Sequence, residues 1–96
     1  MPAYVICEIE VTDRERYKEY MAASPAAVAG GGGRFLVRGG DTATLEGDWD
    51  PARIVVLEFP DVETATRWYD SEAYRAARKL REGAARFRAI VVPGAD

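Results

Sequence analysis

The 96-residue chain contains no histidine and a single cysteine, Cys7. Histidine is the commonest metal ligand and the usual general base near neutral pH, so Ser-His-Asp triads, His-containing zinc sites and His-ligated haem are excluded. One cysteine permits no disulfide within the chain, and an odd thiol in an apolar strand is ordinarily a small core residue. A redox role would need exposed, electropositive surroundings. Neither a metal nor a cofactor is expected.

Long apolar runs are missing as well. The longest, residues 54–57 and 89–93, are of strand length and far short of the roughly 20 residues a membrane helix needs, so no membrane partner is expected. Met1-Pro2-Ala3-Tyr4 leads straight into a strand pattern without the basic segment, apolar stretch and cleavage site of an export signal, which points to the cytoplasm. Lysine is scarce, with only Lys18 and Lys79 among 13 basic residues. Arginine suits bidentate carboxylate pairing and interfaces. A net charge of -3 and a pI near 5.0 lack the basic footprint of a nucleic-acid binder.

What remains is an ordinary globular composition, 48% hydrophobic and 30% charged, in a length that accommodates one domain spanning 1–96. From Val5 the segment to Val11 alternates apolar and polar residues and reads as a strand. Thr12 stands three residues before Glu15 at capping-box spacing, and Tyr17, Tyr20, Met21, Ser24 and Val28 form one helical stripe. Ser24-Pro25 predicts a kink or restart of that helix, and Gly30 to Gly33 ends it. Arg34 to Arg38 is a second strand, broken by Gly39-Gly40 before a short extended piece over 42–46. Ile54 to Phe59 is the strongest strand, apolar on both faces apart from Glu58. Asp61 caps a helix through Tyr69, Ser71 caps its continuation to about Glu82, Gly83 stops it, and Phe87 to Val92 closes the chain as a last strand.

The order βαββαβ is that of an α+β, ferredoxin-like fold: a four-stranded antiparallel sheet in the order 4-1-3-2 with two helices on one face. Alternation assigns Val5, Cys7, Ile9, Phe35, Val37, Val55, Leu57, Phe59, Phe87, Ala89 and Val91 to the helix face. The other face then carries Glu8, Arg38, Glu58 and Arg88 together with six large aliphatics, Ile6, Leu36, Ile54, Val56, Ile90 and Val92. A solvated sheet face should be polar, so this one is expected to be covered, most economically by a second copy packed face to face in a homodimer.

Several segments carry a family resemblance: Met1-Pro2-Ala3-Tyr4, Tyr17 with Tyr20, residues 32–40 (Gly-Gly-Arg-Phe-Leu-Val-Arg-Gly-Gly), Glu46-Gly47-Asp48-Trp49, Glu58-Phe59-Pro60, and Trp68-Tyr69-Asp70-Ser71 followed by Tyr74. The chain resembles the domain-of-unknown-function family 1330, small bacterial proteins of the dimeric α+β-barrel superfamily. That resemblance covers nearly the whole chain and implies the fold and the homodimer, but no settled activity. One departure is visible. Members often carry an aromatic residue or histidine just before the Gly-Gly pair, where this chain has Gly30 and Gly31. Related barrel folds host cofactor-free monooxygenases, cyclases, isomerases and haem enzymes, so fold analogy does not choose among them.

Two constellations are candidates for chemistry. Glu8 and Glu58 fall on adjacent central strands, about 5 Å apart if directly paired, with Arg38 and Arg88 on the flanking strands of the same face. Buried carboxylates there need the arginines as partners, which favours ion pairs that fix dimer register over an acid-base pair. The aromatic set Tyr17, Tyr20, Trp68, Tyr69 and Tyr74 lies on helices over the other face. Such stripes are usually core, yet a cleft lined by them would suit a flat organic molecule, with Arg38, Arg53 or Arg78 holding a carboxylate. On this reading the catalytic candidates are Glu58 and Tyr69, and the ligand-binding candidates are Tyr17, Arg38, Trp68 and Tyr69. Gly30 to Gly33 lacks the motif of a phosphate loop, and Glu46, Asp48 and Asp50 read as a solvated loop rather than a cation site. The functional expectation is a small homodimer, acting as a cofactor-independent enzyme on a small aromatic or polyketide-like molecule or as a non-catalytic ligand-binding or accessory protein.

Overall fold

The structure, a computed structural model, describes residues 1–95; Asp96 lies outside the described residues. Its elements are β1 (Ala3–Val11), α1 (Arg14–Gly30), β2 (Arg34–Arg38), β3 (Ile54–Phe59), α2 (Val62–Tyr69), α3 (Glu72–Leu80) and β4 (Ala85–Pro93). The strands form one antiparallel sheet in the order β2-β3-β1-β4. This is the ferredoxin-like arrangement, with a third helix because the second helical segment is cut in two at Asp70-Ser71. Residues 42–46, expected to be extended, form no strand.

Alternation along β1 and β3 buries Val5, Cys7, Ile9, Val55, Leu57 and Phe59 against the helices, where they join Tyr17, Tyr20, Val28, Trp68, Tyr74 and Ala77 in the core. Each helix begins at a side chain that satisfies an otherwise unpaired amide. Asp61 accepts from the Thr64 amide at 2.7 Å, and Ser71 from the Tyr74 amide at 3.2 Å. At α1 the cap is Asp13, which accepts from the Arg16 amide at 3.2 Å, rather than Thr12. Thr12 and Asp13 instead donate their own amides to the Ala84 carbonyl.

Pro25 does not interrupt α1, which runs unbroken from Arg14 to Gly30. A proline inside a helix removes one amide and leaves the carbonyl four residues back without its donor. That carbonyl is Met21's, and the Arg38 guanidinium donates to it at 3.1 Å. Arg38 can do so because β2 is bulged. Phe35 pairs with Leu57, but Val37 pairs with Val56 and Arg38 with Val55, so the register shifts at Leu36. The extra residue inverts the alternation beyond it. Val37 therefore lies on the open face and Arg38 on the helix face, the reverse of the simple pattern.

Candidate functional site

The consequences for the charged constellation are direct. Glu58 stands opposite Arg34 on β2, and the two form an ion pair at 2.6 Å. Arg38 is on the other side of the sheet, so the expected Arg38–Glu58 pair does not exist. Glu8 and Glu58 are not opposite either: Glu58 faces Tyr4, and Glu8 faces Ile54. Glu8 pairs instead with Arg88, as its place beside β4 predicts, through Nε at 3.0 Å. Trp49, from the β2–β3 connection, donates its indole N–H to the same carboxylate at 3.3 Å. These donors, Arg88 first, hold the Glu8 carboxyl below its ordinary range. Glu10 is paired with Arg86. The three carboxylates of this face, Glu8, Glu10 and Glu58, thus each have an arginine partner.

The helix face is built differently. Tyr17 and Tyr20, three apart on α1, stack with ring centroids 5.3 Å apart. The Tyr20 hydroxyl meets that of Tyr74 at 2.6 Å in the buried core. Ser71 ties Trp68 to Tyr74, since its hydroxyl donates to the Trp68 carbonyl at 2.7 Å while accepting from the Tyr74 amide. The Trp68 and Tyr74 rings accordingly lie 4.1 Å apart. Arginines cap the stack: Arg78 lies 4.1 Å over the Tyr69 ring, and Arg81 lies 3.7 Å over Phe87 and 5.4 Å over Tyr20. Arg78 and Arg81 take part in none of the ion pairs among the described residues.

Three spaces adjoin this stack. A cleft of about 470 Å³ lies between α2 and β4, lined by Thr66, Trp68, Tyr69, Arg81, Phe87 and Ile90 among others. The Nε1 of Trp68 and the Nε of Arg81, two of its lining residues, are buried without a hydrogen-bond partner, an unusual cost for donors in a folded interior. A small internal space of about 30 Å³ is bordered by Tyr17, Tyr20, Arg38, Arg53 and Tyr74. A groove of about 480 Å³ opens beside the start of α1, where Tyr17 and Arg53 recur.

The four ligand-binding candidates are thus divided. Trp68 and Tyr69 line the cleft, whereas Tyr17 and Arg38 line the internal space on the far side of the Tyr20–Tyr74 pair. Arg81, Phe87 and Thr66 escaped sequence reasoning. Arg81 had one available signal, its place on the Tyr74, Ala77, Arg81 helical stripe that faces the core. Burial pushes the hydroxyls of Tyr20 and Tyr17 above the ordinary tyrosine range and the Cys7 thiol up to about 11. At neutral pH these groups are hydrogen-bond donors, not bases or nucleophiles. The space beside Gly31 is filled by Trp68: a Cβ on Gly31 would come within 2.5 Å of its ring. Among the described residues no group of histidine, cysteine and carboxylate side chains could hold a metal ion, and no helix is long and apolar enough to cross a membrane.

A sequence comparison with curated proteins finds no match. Among solved structures, the fold is similar to that of a protein of unknown function from Rhodopseudomonas palustris, with 21% identity, a TM-score of 0.77 and coverage of 99% of this chain and 83% of that one. SnoaB, a cofactor-independent oxygenase from Streptomyces nogalater, is similar at 12% identity and a TM-score of 0.70, with 99% and 94% covered. A dimeric ferredoxin-like protein of unknown function from Jannaschia sp. CCS1 is similar at 13% identity and a TM-score of 0.66, with 98% and 100% covered. At these identities the likeness is one of fold. Residues 2–95 match the model of the domain of unknown function DUF1330, and the chain belongs to that family.

Proposed function

We propose that this protein works as a homodimer that takes a small, flat, anionic organic molecule into the cleft between α2 and β4. The observation that carries the reading is the pair of unpartnered donors, Trp68 Nε1 and Arg81 Nε, buried in residues that line an otherwise apolar space. An aromatic ligand would stack on Trp68 and Tyr69, and its carboxylate or phenolate would meet the Arg81 charge, which forms none of the ion pairs among the described residues. The homodimer is supported by the open sheet face, where Ile6, Val37, Ile90 and Val92 stay exposed around Val56, and by the dimeric state named for the Jannaschia protein.

The likeness to SnoaB supports a catalytic form of the same reading, the cofactor-independent oxygenation of that molecule. Arg81 would then stabilise the phenolate or enolate that reacts with oxygen, and Tyr69 is the candidate catalytic group left at the cleft. Binding is tested by quenching of tryptophan fluorescence with planar aromatic carboxylates and their neutral amides. The carboxylates should bind at least about tenfold more tightly, a difference lost in Arg81→Met. Equal binding of acid and amide would refute the reading. Oxygen consumption with a polycyclic phenol separates enzyme from binding protein.

A further inference from the structure

We propose that the groove beside the start of α1 is a second binding site, for a small dianion of the phosphate-monoester or dicarboxylate type. It shares no lining residue with the cleft between α2 and β4, so the proposal stands apart from the function assigned there. The groove holds about 480 Å³ and is lined by the cations Arg14, Lys18 and Arg53, with Asp41 as the one acid. Such an excess of positive charge stands out in a chain of net charge -3.

The key residue is Arg53. Its Nε is buried without a partner, and its terminal nitrogen reaches only the Arg38 carbonyl, at a marginal 3.5 Å. The guanidinium is nevertheless held in place. Gly39 has φ +73 and packs so tightly on it that a Cβ there would fall on the Arg53 guanidinium. The backbone on both sides is fixed, because Gly39 donates to the Ile54 carbonyl at 2.9 Å and Arg53 accepts from the Ile9 amide at 2.9 Å. A guanidinium held in place without a carboxylate partner can take an oxyanion through its remaining N–H groups.

Arg14 and Lys18 stand four apart on α1 and complete the wall with Tyr17 between them. Arg14 and Arg53 enter none of the ion pairs among the described residues. Lys18 is paired with Glu15 at 3.1 Å, but both side chains are well exposed, and such pairs hold a side chain only weakly. Lys18 can therefore turn to a ligand. A monoanion would leave cationic charge unbalanced against Asp41, whereas a dianion compensates it.

The test is calorimetric titration of the full chain with inorganic phosphate, malonate and acetate at constant ionic strength. At least one dianion should bind saturably, and acetate about tenfold more weakly or not at all; Lys18→Glu and Arg53→Met should each weaken the dianion about tenfold. Lys18→Glu changes an exposed side chain and keeps the test valid should Arg53→Met melt early. Preference for phosphate assigns a phosphate ester, and preference for malonate a dicarboxylate. Absence of saturable dianion binding, equal binding of acetate, or unchanged affinity in Lys18→Glu would overturn the proposal.

Discussion

The hydroxyls of Tyr20 and Tyr74 meet at 2.6 Å inside the core, with the Arg81 guanidinium beside both. Tyr20→Phe removes that bond and should cost about 1 kcal/mol in denaturant melts. The double change to phenylalanine should cost less than the two single changes added together, and strict additivity would show that the hydroxyls are not coupled. Burial also raises the proton affinity of Cys7, Tyr17 and Tyr20 in the folded state. The unfolded chain loses these protons first as the solution becomes alkaline. The stability they contribute is complete below the ordinary thiol value of 9.0 and declines as pH rises toward the folded value of about 11 for Cys7. Melting temperatures should therefore fall steadily above about pH 9, and native Cys7 should resist a thiol reagent at neutral pH until denaturant is added. The tyrosine stripe was legible in the sequence from its helical spacing. Which hydroxyls meet was not, because that depends on how two helices far apart in sequence cross over the sheet.

Pro25 and Arg38 show the same limit at the scale of elements. The proline predicts a kink or restart because it removes a donor, and it is tolerated within a continuous helix because β2 supplies one from outside. Pro25→Ala would return an amide to the Met21 carbonyl and make the Arg38 bond redundant. Arg38→Ala should then cost about 1 kcal/mol in the wild-type background and close to nothing beside Pro25→Ala, measured by thermal melts of the four chains. Equal losses in both backgrounds would mean that Arg38 acts through its contact with the Phe35 ring. The bulge at Leu36 is what turns Arg38 toward the helices. A strand pattern of period two carries no mark of an inserted residue, so five residues from Arg34 to Arg38 were read in one phase. For the same reason simple alternation sets Arg38 on the face of Glu58, where the actual register supplies Arg34.

For the whole molecule the open sheet face is decisive. Its aliphatics surround Val56, and its ion pairs Arg34–Glu58 and Arg88–Glu8 flank them. As a solvated surface these pairs contribute little. Against a second copy they would be desolvated and would fix its register. If the proposed homodimer forms through this face, Val56→Asp should give monomer or aggregate in sedimentation experiments at micromolar concentration, because it introduces an unpaired charge into an apolar contact. A wild-type chain that sediments as a monomer would contradict the homodimer.

The amino-acid sequence by itself determined the element order, the faces of β1, β3 and β4, and the exclusion of histidine chemistry, because hydrophobic period and composition are local properties. Only the tertiary structure decided the register of β2, the side of the sheet on which Arg38 lies, and the separation of Trp68 and Tyr69 from Tyr17. Those follow from one inserted residue and from the packing of α1 and α3 over the sheet, and no window of the chain contains both partners of any of these contacts.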